Sequence, residues 1–228
     1  MTLPGKTTAP VLRQWREADL DPLSEMSADA DVMRYFLAPL TREETRAMLD
    51  RMRSAIDQRG WGIWAVEVDG DLAGMVGLAV PRWPLPCSPC TEVLWRLRKE
   101  YWGRGIAFAA ASQACEYGFE TVGLDEVVAF TTPPNVRSIR LMERLGFTRD
   151  HAGDFDHPAV PEGHPLRRHV LYRKKRPGAV GRREVKESVG RPMGGGRFKK
   201  VANCWVQLTR DPPLGVLEID IDPSRLQL

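Results

Sequence analysis

Hydrophobic positions in the first quarter of the chain follow helical spacing between one signal that starts a helix and one that ends it. One apolar stripe recurs every three or four residues: Met48, Leu49, Met52 and Ile56. Thr41-Arg-Glu-Glu44 precedes the stripe and reads as a capping box, with Thr at the cap and Glu three residues later. Gly60 is placed to end the helix. The pattern predicts an amphipathic helix between Thr41 and Gly60, with its stripe in the core.

Apolar runs bounded by turn residues predict the other elements. The predicted strands are Val11–Trp15, Trp61–Val68, Leu72–Val80, Thr91–Arg98, Asp125–Thr132, a strand from Phe147, and His169–Arg173. The predicted helices are Leu20–Met26, capped by Asp19, then Asp29–Phe36, Ala107–Phe119 and Ser138–Leu145. Asp69-Gly-Asp71 joins two strands as a hairpin turn. Four prolines make residues 81–90 a loop, because proline cannot donate to a central strand.

The order of these elements predicts a single α/β domain of the α+β type over residues 1–176. Helices and strands mix, with one strand–helix–strand unit in the second half, which fits three layers around a largely antiparallel sheet. Residues 177–228 are rich in Gly, Arg and Lys, so we expect a flexible extension. Within it, Val201–Leu208 and Val216–Ile221 alternate and could pair as a terminal hairpin.

Composition and charge narrow the class of protein. The chain has 228 residues, 43% hydrophobic and 28% charged, which is ordinary for a globular protein. It has no apolar run of membrane-spanning length and no signal-peptide core, so we expect a cytoplasmic protein without a membrane partner. Residues 1–172 carry 20 Lys and Arg against 24 Asp and Glu, whereas residues 173–228 carry 13 against 6. The basic character belongs to the extension, so nucleic-acid binding by the domain is not expected.

Cysteines and histidines do not predict a metal site. Cys87-Ser-Pro-Cys90 is a lone CxxC without the second pair or spaced histidines that zinc needs. All four histidines, His151, His157, His164 and His169, fall within residues 151–169, at spacings that match no ligand pattern. Because histidine titrates near neutrality, such a cluster could instead supply a base or line a substrate pocket. We therefore expect no metal, and we interpret the CxxC as a loop with two small thiols.

A strand, a glycine-bearing turn and a helix meet around Glu100-Tyr-Trp-Gly-Arg-Gly-Ile-Ala107. Gly103 and Gly105 permit a tight turn and the close approach of an anion. The helix that follows would offer free N–H groups and the positive end of its dipole, so a pyrophosphate could bind there. The turn is neither a P-loop nor a dinucleotide fingerprint. A tight turn that needs glycine only for geometry is the alternative.

Two motifs together resemble a known family. Trp102-Gly-Arg-Gly-Ile-Ala107 resembles the acetyl-CoA pyrophosphate loop of the GNAT N-acetyltransferases, Arg/Gln-x-x-Gly-x-Gly/Ala, with Trp102 departing from the first position. The Tyr-Trp-Gly-Arg-Gly run is typical of the RimJ/RimL-like branch. Asn135-Val-Arg-Ser138, followed by Met142-Glu-Arg-Leu-Gly146-Phe147, resembles the Asn-x-x-Ser…Glu-Lys-Leu-Gly-Phe of the same branch. The similarity runs from about Leu12 to Tyr172.

The resemblance implies a fold and a cofactor site. In GNAT folds two central parallel strands splay apart and the cofactor enters the gap, here between the strands that end near Leu97 and Thr132. Acetyl-CoA would be the co-substrate. The residues that would hold it are Leu97 through its backbone, Trp102, Gly103, Arg104, Gly105, Ile106, Ala107 and Asn135. For Asn135 the alternative is a helix cap, and both roles can hold at once.

The resemblance also implies an activity and its catalytic residues. Acetyl transfer to a primary amine, on a protein N-terminus or a small molecule, would proceed by direct attack in a ternary complex. Glu92 matches the Glu of Glu-Ile-Gly-Tyr in the branch and would be the base, the alternative being a solvated acid at a strand end. Many members use a Tyr as the general acid where this chain has Met142, which cannot donate a proton. Ser138 inherits that role, with a first-turn helix serine as the alternative.

Asp29–Phe36 resembles the family's region after the first helix, which often borders the substrate cleft. The loop before the last strand would lie over the acceptor side in this fold. Its candidate substrate-side residues are Asp156, His157, Glu162 and His164, each with a structural turn role as the alternative. Exposed edge strands are compatible with a homodimer.

Two other functions remain compatible with the sequence. One is an acyl-CoA-binding sensor or regulatory module that has lost turnover. The other is a nucleic-acid-binding or ribosome-associated protein that acts through its basic extension.

Overall fold

The computed structural model describes residues 9–178, 198–201 and 204–207. The strands are β1 (Val11–Arg13), β2 (Ile63–Val68), β3 (Asp71–Ala79), β4 (Glu92–Leu97), β5 (Glu126–Thr131), β6 (Thr148–Asp156), β7 (Arg168–Lys175), β8 (Phe198–Val201) and β9 (Cys204–Gln207). The helices are α1 (Leu20–Ala28), α2 (Arg42–Arg59), α3 (Ile106–Tyr117) and α4 (Val136–Arg144). None of the helices in these described ranges is long and apolar enough to cross a membrane.

Seven strands form one sheet in the order β1-β2-β3-β4-β5-β7-β6. Every neighbouring pair is antiparallel except β4 and β5, which are parallel. Their pairing is limited to one register position, Glu92 opposite Val128, where the Val128 N–H donates to the Thr91 carbonyl at 2.9 Å. Beyond that point the two strands diverge, which confirms the predicted splayed pair in a mostly antiparallel sheet.

Helices cover both faces of the sheet, which confirms the three layers. On one face, α3 buries its alanines against β3 and β4, in a core that includes Ala110, Ala111 and Ala114. On the other face, α1 and α2 pack Leu23, Met48, Leu49 and other side chains against Ile63 and Met75. The small alanine side chains allow α3 to approach the sheet closely, which brings the start of that helix near the end of β4.

Local signals placed α2 and the first hairpin correctly. The Thr41 N–H donates to Glu44 Oε2 at 2.7 Å, and the Glu44 N–H donates to Thr41 Oγ1 at 3.2 Å, so the capping box is complete. Gly60 ends the helix with φ 76°. β2 and β3 pair through the turn at Asp69 and Gly70, as predicted.

Asp29–Phe36 is not the predicted helix but a series of turns. The Asp29 carboxylate accepts from the backbone N–H groups of Asp31 at 2.8 Å and Val32 at 3.2 Å. An Asx turn of this kind competes with helix formation, which the apolar spacing of the segment does not reveal. Asp19 stands where a cap was predicted, but its carboxylate binds Arg13 and the Arg16 N–H instead of capping α1.

The predicted elements near the end of the chain also shift. β6 runs to Asp156, so this residue, which was predicted in the loop before β7, lies at the end of the strand and the loop begins at His157. β8 and β9 form a separate antiparallel pair, so within the strand predicted over Val201–Leu208, Val201 ends β8 and Cys204–Gln207 forms β9. The second predicted strand, Val216–Ile221, lies outside the described residues, as does most of the extension. A domain boundary after residue 176 stays a prediction.

Gly74 permits the close approach of β3 to β4, and we expect its replacement by alanine to destabilise the fold. A Cβ there would lie 2.2 Å from the Arg96 carbonyl oxygen and 2.7 Å from the Leu97 Cα, at a φ of 152°. Gly74→Ala should lower the free energy of unfolding by about 2 kcal/mol or more, measured by urea denaturation. Gly70→Ala is the matched control, because a Cβ there meets no atom within 4 Å and only its φ of 90° opposes the change. Equal losses in the two variants would contradict this explanation.

Candidate functional site

The turn between β4 and α3 has the geometry of an anion-binding cradle. Gly103 and Gly105 adopt φ 71° and 78°, in the left-handed region that favours glycine. A Cβ on either residue would meet no atom within 4 Å, so the space around the turn is open. Gly105 caps α3 without a side-chain hydrogen bond, and the first N–H groups of the helix, from Ile106 and Ala107 onwards, have no intrahelical acceptor. The cradle therefore combines free donors with the positive end of a twelve-residue helix.

Trp102 ties this turn to the end of β4. Its indole N–H donates to the Leu97 carbonyl at 2.8 Å, and the Arg137 guanidinium lies 4.9 Å from the centroid of its ring. Arg104 is exposed, 5.3 Å from the Tyr101 ring centroid. At the first position of the motif, where the family has Arg or Gln, Trp102 thus connects the loop to the strand through its hydrogen bond. Arg104 and Arg137 supply positive charge on either side. Arg137 was not among the predicted residues.

Asn135 caps α4, as the alternative interpretation expected. Its Oδ1 accepts from the Ser138 N–H at 3.3 Å, and its Nδ2 donates to Thr131 Oγ1 at 3.0 Å. An amide oxygen accepts two hydrogen bonds and an amide nitrogen donates two, so Asn135 retains capacity for a ligand. The Ser138 hydroxyl makes no hydrogen bond to the described residues. The Met142 thioether has no proton to donate, and because the residue is fully buried in the core it cannot reach a ligand.

A cavity lies beside the splayed strands, under the turns that follow α1. Its lining includes Tyr35, Phe36, Glu92, Arg96, Thr132 and His157. The Tyr35 hydroxyl donates to the Pro134 carbonyl at 3.1 Å, which links these turns to the loop after β5. Lys99 pairs with Asp29 and Asp31 at 2.9 and 3.1 Å and links them to the loop after β4. The cavity is therefore roofed by a segment held on both sides of the gap.

Glu92 lies in this cavity and is not a solvated acid. Its side chain is 6% exposed, and its carboxylate has no hydrogen bond or ion pair within the described part of the chain. Burial raises the pKa of Glu92 well above its ordinary value, and negative charge on the neighbouring Cys87 raises it further. A carboxyl group in this state can exchange a proton closer to neutral pH than an exposed glutamate does.

His157 and His169 lie against each other on the β6–β7 side of the cavity, with ring centroids 5.1 Å apart. His157 Nδ1 accepts from the Ala159 N–H at 3.2 Å, so the proton of the neutral ring is on Nε2. His169 Nδ1 lies 3.1 Å from the Arg167 carbonyl and therefore carries its proton there. Burial lowers the pKa of His157 to about 4, with a smaller contribution from His169, and burial also lowers the pKa of His169. Both rings are thus neutral at pH 7.

The structure brings only His157 of the four predicted substrate-side residues into the cavity. Asp156 is exposed and pairs with Arg167 and Arg168 at 3.6 and 3.4 Å. Glu162 is exposed, and His164 Nδ1 accepts from the Leu166 N–H at 3.1 Å within a turn. The extension of β6 to Asp156 accounts for this, because it carries the loop away from the cavity.

Sequence reasoning missed Arg96 and Thr132, whereas it expected the Asp29–Phe36 segment beside the substrate cleft and offered a pocket-lining role for the histidine cluster that includes His169. Arg96 had a detectable signal. Glu92, Leu94 and Arg96 occupy every second position of a strand and therefore share one face. A charged residue on the same face as an apolar one is the signal. Thr132 reaches the cavity directly after β5, and no local pattern marks it.

The CxxC pair lies close to the same cavity. The Cys87 and Cys90 Sγ atoms are 3.2 Å apart and share a hydrogen bond, which lowers the pKa of Cys87 to about 7 and raises that of Cys90. Across the described ranges, no group of three or more His, Cys, Asp or Glu side chains is arranged to hold a metal ion.

Comparisons with known proteins agree with this geometry. A family model described as an acetyltransferase (GNAT) domain matches residues 11–148. The chain is 31% identical over 131 residues to the FsC-acetyl coenzyme A-N(2)-transacetylase of Aspergillus fumigatus, a match that covers 54% of this chain and 56% of that protein. It is 28% identical over 137 residues to the spermidine N(1)-acetyltransferase of Escherichia coli K12, covering 60% and 72%.

A solved structure shares the fold as well. The crystal structure of a GNAT-family acetyltransferase from Bacillus anthracis superposes with a TM-score of 0.61 at 25% identity, covering 75% of this chain and 96% of that one. The match to the Aspergillus relative spans only about half of that protein's length. Because the family model describes the GNAT domain as a whole, the RimJ/RimL-like branch stays a prediction.

We expect Glu92→Gln to stabilise the protein at neutral and alkaline pH. The raised pKa of Glu92 means that its contribution to stability is fully present below the ordinary glutamate pKa and is lost as the pH rises through the folded-state value. The neutral amide removes that loss, so the gain over the native chain should grow with pH. Urea denaturation between pH 4 and pH 8 measures it. The control is Glu162→Gln at an exposed position, and a pH-independent difference for Glu92→Gln would contradict the assignment.

Proposed function

This chain belongs to the GNAT acetyltransferase family, and we propose that it transfers the acetyl group of acetyl-CoA to a primary amine by direct attack in a ternary complex. The acceptor amine belongs to a protein N-terminus or to a small molecule. The observation that carries the proposal is the alignment of an open anion cradle at Gly103–Gly105 with the gap between β4 and β5. We also place the chain in the RimJ/RimL-like branch, on the strength of its Tyr-Trp-Gly-Arg-Gly run and its Asn135 and Ser138 motif.

The cradle fits the pyrophosphate of acetyl-CoA. The free N–H groups of Ile106 and Ala107 and the backbone of Gly103 and Gly105 donate to the phosphate oxygens, and Arg104 adds positive charge. From there the gap leads along β4, where the Leu97 backbone and the Asn135 amide contact the pantetheine arm. Trp102 keeps the loop at a constant distance from Leu97 through its hydrogen bond.

Glu92 serves as the base. The acceptor reaches the site as an ammonium ion, and only the free amine attacks the thioester carbonyl carbon. Glu92 takes the proton, directly or through a water molecule, and its raised pKa suits that transfer. As the amine forms the new C–N bond, the C–S bond breaks, the Ser138 hydroxyl passes its proton to the leaving thiolate, and Ser138 regains a proton from the nitrogen of the new amide.

The two alternative functions have less support. A binding module without turnover has no use for a buried, unpaired carboxyl group at the end of the cofactor gap, and the cost of burying Glu92 argues for chemistry there. The basic residues of the extension lie mostly outside the described residues, so no geometry supports binding to nucleic acid.

Acetyl-CoA binding should depend on the open space at Gly105. A Gly105→Glu side chain would occupy the cradle and place a negative charge against the pyrophosphate, so calorimetric titration should show at least a tenfold loss of affinity, which is about 1.4 kcal/mol. Gly163→Glu is the matched control, because Gly163 has a similar φ of 77° and the same open space, but lies in another loop. Native affinity in the Gly105→Glu protein, or no binding by the native chain, would remove the cofactor assignment.

Replacement of Glu92 should lower turnover without changing the affinity for acetyl-CoA. Glu92→Gln should lower kcat by about 10²–10⁴ while the Kd for acetyl-CoA stays within twofold. Thiol release is followed with benzylamine, spermidine, free amino acids and a short peptide as acceptors, and the fastest of them is used. For the native chain, the acid limb of kcat/KM should lie above the ordinary glutamate range, because the base must be ionised. A Glu162→Gln control should retain full activity, and an unchanged kcat in Glu92→Gln would exclude Glu92 as the base.

A further inference from the structure

Arg96 is a buried cation without an ion-pair partner among the residues that the structure describes. It is 5% exposed, and its Nε and Nη1 atoms have no hydrogen-bond partner within the described residues. Its guanidinium carbon lies 4.1 Å from the centroid of the Phe36 ring, which is a cation–π contact. Burial alone lowers the pKa of Arg96 to about 10, so the group is still charged at pH 7. An unpaired buried charge is costly, and a bound anion would remove that cost.

A second unpartnered group lines the same cavity. Thr132 follows β5, across the gap from Arg96, and its hydroxyl is buried without a hydrogen-bond partner. The adjacent Thr131 hydroxyl, by contrast, accepts from Asn135. Two polar groups without hydrogen-bond partners, a guanidinium on β4 and a hydroxyl directly after β5, thus line the same cavity. Both can donate to an oxygen anion.

No carboxylate of the described chain neutralises Arg96. Asp29 and Asp31 near the roof of the cavity are paired with Lys99. Glu92 is the acid that lines the cavity, and neither its pKa nor that of Arg96 is shifted by the other group. Both histidines that line the cavity are neutral at pH 7 because burial lowers their pKa. The cavity therefore has a fixed positive charge at one position and a proton acceptor at another.

We propose that Arg96 and Thr132 bind the carboxylate of the acceptor, so that the acceptor is a small amino-acid-like amine. This proposal rests on the acetyl transfer proposed above and names the class of its substrate. Glu92 and Arg96 lie on one face of β4, four residues apart, which is about 13 Å between Cα atoms along an extended strand. The two long side chains and a small amino acid can span that distance, with the amine near Glu92 and the carboxylate near Arg96.

The charge and the roof of the cavity exclude other acceptors. A polyamine would place a second cation against Arg96, where like charges repel without screening by water. The α-amine of a protein N-terminus lacks an adjacent carboxylate, so the Arg96 guanidinium and the Thr132 hydroxyl would stay without a partner. A free amino acid satisfies both donors and fits under the roof.

The test compares free amino acids with their own amides as acceptors, in the full-length chain. The two differ only in the carboxylate, so the native chain should acetylate its best free amino acid with a kcat/KM at least about 100-fold above that of the corresponding amide, measured by thiol release. Spermidine should be as poor an acceptor as the amides. An amide or spermidine that reacts as fast as the acid would overturn the proposal.

Three variants test whether Arg96 and Thr132 cause the preference for the free amino acid over its amide. Arg96→Met should lose the preference for the acid, mainly by raising the KM for the amino acid, while the KM for acetyl-CoA stays unchanged. Arg96→Lys should restore part of the preference, and Thr132→Val should lose about tenfold. Arg140→Met is the control at an exposed position of α4 and should behave like the native chain. A raised KM for acetyl-CoA with unchanged acceptor preference would assign Arg96 to the cofactor and overturn the proposal.

A readout without turnover separates this proposal from the acetyl transfer itself. Without ligand, Arg96→Met should have a higher Tm than the native chain, because an unpaired buried charge is removed. Free amino acids at millimolar concentration, with CoA present, should raise the Tm of the native chain but not of Arg96→Met. Failure of acetyl-CoA to bind would reject the proposed transfer alone, whereas a Tm shift that is the same in both proteins would reject the carboxylate site.

Discussion

The parallel pairing of β4 and β5 at a single register position is the constraint on which the site depends. β3 holds β4 along six paired residues on one side, and β7 holds β5 along six on the other. Each strand is therefore fixed at its outer edge while the inner edges diverge beyond Glu92 and Val128. Backbone groups that face the gap have no partner strand, and buried groups of this kind need a ligand or water. A rigid sheet thus presents an open backbone edge without losing stability elsewhere.

Two chemically different sites meet at this gap. The cradle at Gly103–Gly105 collects backbone N–H groups, which suit a phosphate ester. The cavity on the opposite side holds buried groups with unusual proton affinity, Glu92 and Arg96, on one face of β4. Because both lie on or next to a single strand, the distance between the two sites is set by the sheet and not by a flexible loop. Residues that cost stability without a ligand are concentrated here, which is typical of functional sites.

Several elements could be predicted because their signals are local. Thr41 and Glu44 cap α2 through their own backbone neighbours, and Gly103 and Gly105 adopt angles that few other residues tolerate. The Asp29–Phe36 segment shows the limit of such signals. Its apolar spacing suits a helix, but the Asp29 side chain satisfies the backbone in turns, and these turns pack over the cavity. The start of the loop after β6 was misplaced for a similar reason, since pairing with β7 extends the strand to Asp156.

The sequence alone determined the order of the sheet strands over residues 11–175, the glycine cradle with its following helix, and Glu92 as the candidate base, because capping, φ preference and motif spacing act between residues close in the chain. Only the tertiary structure decided which groups share the cavity. Arg96 could have been a solvated strand residue, and His157 and His164 were equivalent candidates. Packing buried Arg96 and His157 and left His164 in a turn. Burial, partners and shifted pKa values arise from contacts between distant segments, which spacing along the chain does not encode.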